Sequence, residues 1–323
     1  MPELRKDPLI GRWVIIATER GKRPVDFIPP HANGSGEANC PFCGGREGET
    51  QAEILAVRPP GGAPNAPGWK VRVIPSIKPV LRIEGNLHRR GKGMYDVMDG
   101  VGAHEIIVET PDHIGNAADL PVEQLHASFQ AALARITDLE RDPRLRYALW
   151  FKNYGTGAGG GTIQHSRSQL IATPVTPLRV KEELLGARRY YDEKERCMLC
   201  DLLQQERQNP VRIVFESARM IALCPFASRF PFEVWIMPKR HSCDFGKIQA
   251  EELADLSATM KQVLGRLKRV LDDPAYNALL HTAPFRGARG SKAAHWKTIE
   301  EDYHWHIELI PRLTRVAGFE WGS

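Results

Sequence analysis

The chain has 323 residues, about two domains' worth at roughly 100–200 residues each, and its 42% hydrophobic and 26% charged content excludes wholesale disorder. No window approaches the roughly 18 uninterrupted apolar residues of a membrane span, and the opening Met1-Pro2-Glu3-Leu4-Arg5 lacks the apolar run of a signal peptide. The expected location is therefore cytoplasmic, with no membrane partner. A net charge of +5 from 44 basic and 39 acidic residues is too balanced to call for nucleic acid, and it suits an anionic small-molecule substrate.

In chain order, the first landmark is Cys40-Pro41-Phe42-Cys43. An extended β-branched run follows, Glu105-Ile106-Ile107-Val108, leading to His113. Leu125, Phe129, Leu133, Ile136 and Leu139 then recur at helical spacing, with the Asp142-Pro143 step expected to stop the helix. A short strand over Tyr147–Phe151 precedes a glycine-rich run and the motif His165-Ser166-Arg167-Ser168-Gln169. The same order then repeats. Cys197-Met198-Leu199-Cys200 is followed by Glu233-Val234-Trp235-Ile236 and His241. Leu253, Leu256, Met260, Val263, Leu267 and Val270 give a second helix ahead of Asp273-Pro274. Ala278–Leu280 is a short strand, and His304-Trp305-His306-Ile307-Glu308 closes the series. In both halves the strand glutamate precedes its histidine by eight positions. The expectation is an α+β fold of two tandem halves, each an antiparallel sheet with a packed helix. The boundary is expected near Thr176-Pro177, giving domains 1–177 and 178–323.

Two Cys-x-x-Cys pairs in a chain without a disulfide scaffold point to metal. Tetrahedral zinc favours thiolate and imidazole, and one turn bearing both cysteines supplies half a site. The proposed sets are Cys40, Cys43, His113 and His165, and Cys197, Cys200, His241 and His304, one zinc each. Cys224 and Cys243 have no counterpart in the other half and are expected to be packing residues. Between Asn153 and His165, five glycines let backbone N–H groups approach an anion. This predicts a phosphate nest lined by Gly160, Gly161 and Thr162.

These motifs, with Arg20-Gly21-Lys22-Arg23-Pro24, Pro111-Asp112-His113, Phe151-Lys152-Asn153-Tyr154-Gly155 and Gly318-Phe319-Glu320, resemble the galactose-1-phosphate uridylyltransferase family of the histidine-triad superfamily. The second Cys-x-x-Cys is similar to its two-zinc branch, which contains ADP-glucose phosphorylase-like members. The resemblance implies a ping-pong nucleotidyl transfer between sugar 1-phosphates, starting from UDP-glucose, and a homodimer with composite sites. It implies that Arg20 and Arg23 reach the nucleotide of a neighbouring subunit. Asn153, Gly160, Gly161, Thr162 and Gln169 match positions that contact ribose and phosphates, and Phe319 lies in a matching nucleotide-binding motif.

The chain departs from the pattern at the nucleophile. The second histidine of the first-half motif is Arg167, and a guanidinium stays protonated and cannot attack phosphorus. It can hold a phosphate bidentately and stabilise charge. Ser76 stands where the family commonly has Asn, and the chain closes at Trp321-Gly322-Ser323, short of the expected tail. His306 occupies the equivalent second-half position, as an alternative nucleophile or a packed strand histidine. The expected function is a nucleotidylyltransferase of the sugar-1-phosphate class, with Arg167 and Gln169 at its centre. Its alternatives are a nucleotide-binding homologue without catalysis, or a phosphorylase or hydrolase using direct attack.

Overall fold

The computed structural model describes residues 3–16, 39–286 and 297–313. A short hairpin of β1 (Glu3–Lys6) and β2 (Trp13–Ile16) opens the chain. The first half supplies β3 (Leu55–Val57), β4 (Val71–Pro75), an exposed hairpin of β5 (Arg90–Lys92) and β6 (Tyr95–Val97), and β7 (Ala103–Val108). Then come α1 (Val122–Leu139), β8 (Tyr147–Tyr154) and β9 (Arg167–Thr173). Two helices follow, α2 (Leu178–Lys194) and α3 (Met198–Gln208). The second half continues with β10 (Ile213–Glu216), β11 (Met220–Leu223), β12 (Val234–Pro238) and α4 (Ala250–Leu271). It ends with β13 (Tyr276–His281), the single turn α5 (Ile299–Asp302) and β14 (His306–Pro311).

Ten strands form one sheet in the order β10-β11-β12-β14-β13-β8-β9-β7-β4-β3. Every pairing in it is antiparallel. Read from either edge to the middle, the two halves have the same plan. β8 and β13 meet at the centre, with Asn153 opposite Asn277 and Phe151 opposite Leu279. The architecture is the α+β one expected, two tandem histidine-triad-like halves of antiparallel sheet with a packed helix.

Both long helices lie on one face. The stripes Leu125, Phe129, Ala132, Ile136 of α1 and Leu253, Leu256, Met260, Val263, Leu267 of α4 share a single core with alternate strand residues such as Leu170, Ala172, Leu280 and Ile307. A capping box between Gln249 and Glu252 starts α4. The helices end at Leu139 and Leu271, slightly ahead of the Asp-Pro steps; Asp272 and Asp273 turn left-handed, at φ 51° and 58°, before Pro274.

The other face differs between the halves. In the second half α2 and α3 cover it, through Val180, Leu184 and Ala187 of α2 and Leu199 and Leu203 of α3. In the first half the Cys40–Cys43 turn packs on Ile74 and Val108. Farther along that face, Arg167, Gln169 and Ile171 are half-buried while Ser168, Leu170 and Ala172 point to the helices.

Gly186 lets α2 approach the N-terminal segment, because a Cβ there would collide with the Leu9 carbonyl oxygen and lie 2.7 Å from its carbon. In an ordinary helix Gly→Ala gains up to about 1 kcal/mol. Here the sign reverses: Gly186→Ala is expected to cost about 1–3 kcal/mol through overpacking, measured as a lowered denaturation midpoint.

Candidate functional site

Cys40 and Cys43 sit on one turn, His113 follows β7, and His165 lies just before β9. Their four ligand atoms lie within 4.8 Å of one another. Nδ1 of His165 is 3.4 Å from Cys40 Sγ and 3.7 Å from Cys43 Sγ, and Nδ1 of His113 is 3.4 Å from Cys43 Sγ. A tetrahedral zinc with bonds of about 2.3 Å to sulfur and about 2.0–2.1 Å to nitrogen gives an S···N edge of roughly 3.6 Å. Nε2 of His165 meets the Thr110 carbonyl at 2.8 Å, which places the ring proton there and leaves Nδ1 bare. Burial holds His165 down at about 4, so the ring is neutral, as a ligand must be.

The second group repeats this plan. Cys197 caps α3 and Cys200 lies in its first turn. Cys200 Sγ is 3.3 Å from His241 Nδ1 and 3.5 Å from His304 Nδ1. The Nε2 atoms of those rings meet the carbonyls of Glu300 at 2.8 Å and Pro238 at 3.0 Å. All four ligand atoms again fall within 4.8 Å, and the six cysteines form no disulfide. Both sets of side chains are thus able to hold a metal ion. A third group, Glu183, His281, His306 and Glu308, is as compact but pairs internally. His281 Nδ1 lies 2.9 Å from both Glu183 oxygens, and Tyr303 Oη donates to Glu183 at 3.2 Å.

The glycine run folds back on the end of β8. Gly160 N–H donates to the Gly155 carbonyl at 2.9 Å. A Cβ at 160 would lie 2.8–2.9 Å from Gly155 and Asn153 backbone atoms, so only glycine fits. Gly155, at φ +76°, similarly admits Ala275 of the second half. A cavity of about 540 Å³ results. Asn153, Gly160, Gly161, Thr162 and Arg167 line it from the first half, and Asp273 and Arg312 from the second.

Arg167 lies on the wall of this cavity, held by backbone. Its Nη1 donates to the carbonyls of Ile163 at 2.8 Å and His165 at 3.0 Å, and its Nη2 to Gly160 at 2.5 Å. The guanidinium also stands 5.5 Å from the Phe42 ring centroid. Burial lowers its pKa, yet guanidinium stays charged. Beneath it Lys152, buried, donates to Glu109 at 2.5 Å, Ser166 Oγ at 3.0 Å and the Arg167 carbonyl at 3.1 Å.

Arg167, Asn153, Gly160, Gly161 and Thr162 thus converge on one cavity, with His165 at its edge. Gln169 and Ser76 do not line it. Gln169 bonds to His104 at 2.8 Å, and the Ser76 N–H donates to the His104 carbonyl at 2.9 Å. His306 is fully buried against Trp235 and His281, far along the sheet from Arg167. Arg20, Arg23 and Phe319 lie outside the described residues. Cys243 is buried and Cys224 partly so. Sequence reasoning missed Asp273, Arg312, His104 and the Glu109–Lys152–Ser166 set. The Asp-Pro step and the Phe-Lys-Asn motif were the visible signals for two of them.

No helix among the described residues is long and apolar enough to cross a membrane. Comparison with known proteins matches residues 183–319 to the galactose-1-phosphate uridyl transferase C-terminal domain. Over the whole length, the chain is 34% identical to ADP-glucose phosphorylase of Arabidopsis thaliana, covering 100% of this chain and 88% of that one. It is 27% identical to galactose-1-phosphate uridylyltransferase of Thermotoga maritima, covering 100% and 93%. The crystal structure of the Arabidopsis thaliana ADP-glucose phosphorylase with bound ADP-glucose superposes with a TM-score of 0.81 at 32% identity, covering 100% of this chain and 93% of that chain. A tandem antiparallel fold with a glycine-lined cavity defines the class, and the chain belongs to the galactose-1-phosphate uridylyltransferase family. Its named members include both transferases and a phosphorylase.

The Glu183–His281 pair predicts a pH dependence. Burial favours neutral His281, but the Glu183 and Glu308 carboxylates outweigh it and push the ring up to about 9. Burial likewise opposes the Glu183 carboxylate, and the His281 cation outweighs it and holds Glu183 well below the usual range. A raised histidine contributes stability in full below its ordinary value of about 6.5 and loses it as pH rises through the folded value. The melting temperature is therefore expected to fall from about pH 6.5 to 9 by more than in the double variant Glu183→Gln/His281→Gln, a difference readable by calorimetry.

Proposed function

We propose that this protein is a nucleotidyltransferase acting on a nucleoside diphosphate sugar, and that it passes the nucleoside monophosphate directly to a phosphate oxygen of the acceptor. The observation behind this reading is Arg167, a guanidinium fixed by three carbonyls on the wall of a glycine-lined cavity. It has no nucleophilic lone pair, and it is suited to bind phosphate and offset charge developing there. No described residue takes its Nε–H or its second Nη2–H. In the direct step an acceptor oxygen forms the new bond to the α-phosphorus. The bond from that phosphorus to the bridging oxygen breaks, and its electron pair leaves with the sugar 1-phosphate.

In this reading Asn153, Gly160, Gly161, Thr162 and Gln169 contact ribose and phosphates, with Ser76 nearby and Arg20, Arg23 and Phe319 at the nucleotide or sugar. His306, buried under α2, takes no part. The 34% identity to a protein named ADP-glucose phosphorylase favours ADP-glucose as donor and inorganic phosphate as acceptor; the uridylyltransferases favour UDP-glucose and galactose 1-phosphate. We also propose a cytoplasmic homodimer with domains 1–177 and 178–323, and two structural zinc ions per chain on the two Cys₂His₂ sets. The S···N spacings and the bare Nδ1 atoms fit that metal, which would cross-link each turn to its strand and contribute folding free energy.

Two measurements test this. Incubation with ADP-glucose or UDP-glucose labelled at the α-phosphate, plus each acceptor, is expected to move label into nucleoside diphosphate or a new sugar nucleotide and leave none on denatured protein. Acid-labile label on the protein would overturn the direct route, and binding without turnover would leave a nucleotide-binding protein. Arg167→Ala is expected to slow transfer about 10²–10³-fold. Metal analysis is expected to return two zinc equivalents per chain, with the C-terminal one lost in Cys197→Ser and the N-terminal one, along with much of the stability, in Cys40→Ser.

A further inference from the structure

On the half-buried face of the first half, Gln169 stands two residues along β9 from Arg167 and meets His104 of β7. A carboxamide has a donor end and an acceptor end. Which end faces a phosphate decides whether the contact attracts or repels. His104 makes that choice. The backbone N–H of Val80 donates to Nδ1 of His104 at 3.2 Å. Nδ1 is therefore the acceptor, and in the neutral ring the proton sits on Nε2. Nε2 lies 2.8 Å from Oε1 of Gln169 and donates to it. With its oxygen engaged, Gln169 has its amide nitrogen left to offer.

The same histidine also grips the segment 76–80. The Ser76 N–H donates to the His104 carbonyl at 2.9 Å, and the Val80 N–H to its ring. Ile77 and Val80 within that segment are exposed, so these two hydrogen bonds, rather than burial of those side chains, fix its path. One side chain thus joins a surface segment to a polar group beside Arg167.

We propose that His104 is a positioning residue: it presents the Gln169 carboxamide N–H group to a phosphate oxygen of the nucleotide and couples that donor to the segment 76–80. The phosphate contact rests on the functional reading above, whereas the hold on Gln169 does not.

The test separates them. In ¹⁵N-labelled protein without ligand, in alkaline buffer, His104 is expected to carry its proton on Nε2, and Gln169 to show a resolved side-chain amide pair. A proton on Nδ1 overturns the role of His104 whatever the protein binds. Calorimetric binding of ADP-glucose is then compared across two variants. Glutamine at 104 can keep a donor near the Nε2 position, while asparagine reaches only as far as Nδ1 and serves Val80 alone. His104→Asn is expected to bind ADP-glucose about tenfold more weakly, and His104→Gln within about threefold of the original protein. Unchanged binding in His104→Asn, or equal loss in both variants, would make His104 a structural tie and overturn the proposal. If the original protein binds neither ADP-glucose nor UDP-glucose, the phosphate contact falls together with the functional reading, and the spectra still decide the hold on Gln169.

Discussion

Strands β8 and β13 meet in antiparallel register, and through this seam two half-sheets become one. The seam sets α1 beside α4 over a common core. It also carries the Asp273–Ala275 turn to the glycine run, where Gly155 admits the Ala275 side chain and Asn277 donates to Asn153 at 2.8 Å and to the Ala158 carbonyl at 2.9 Å. Neither half builds the cavity alone. Its floor and loop come from the first, while Asp273 and Arg312 come from the second. A one-residue slip in the seam would exchange the two faces of β8 and send Lys152, now under the site, to the opposite side.

Duplication supplied two copies of the site's framework, and the chain uses them differently. Helix α2 crosses the second-half face and sets Glu183 among His281, Tyr303 and Arg179. A carboxylate with no solvent exposure is tolerable only with such partners. The result is a charged plug that buries His306 completely, the residue in the place corresponding to Arg167. The first half has no equivalent helix among the described residues, and there the face keeps half-buried polar side chains. Helix α2 reaches the first half at Tyr147 and Leu149 of β8, and on β9 Arg167 and Gln169 stay half-buried.

Much of this was legible in the sequence, for local reasons. The stripes on α1 and α4 follow helical periodicity, and the Cys-x-x-Cys pairs carry their meaning in four residues. The repeated order of cysteines, strand and histidines marked which His accompanies which Cys. Helices α2 and α3 were not assigned, because α2 is dense in charge and presents only Val180, Leu184 and Ala187 as a weak apolar stripe. The contacts His104–Gln169 and Lys152–Glu109 depend on the register of β7 against β9 and of β8 against β9. No spacing within one segment encodes a register between segments far apart in the chain. Arg312 and Asp273 were hidden for the same reason, since only the central seam brings them to the glycine run.

The electrostatics of the cavity separate two of its cations, Lys152 and Arg167. Lys152 is spent: its ammonium has three acceptors, among them the Glu109 carboxylate, and Glu109 in turn accepts from Ser166 Oγ at 2.6 Å. Arg167 makes no ion pair with any described carboxylate; its partners are neutral carbonyls. Carbonyl dipoles orient a guanidinium without cancelling its charge, so the field of Arg167 extends into the cavity while that of Lys152 is largely closed off by Glu109. A partly buried cation held this way bears a desolvation cost, visible as the lowered pKa of Arg167. An anion brought to it would offset that cost, and the polarised donors lie where the loop glycines leave room. A guanidinium oriented in this way is suited to binding phosphate and offsetting charge there, and that is the part the proposed reading gives Arg167.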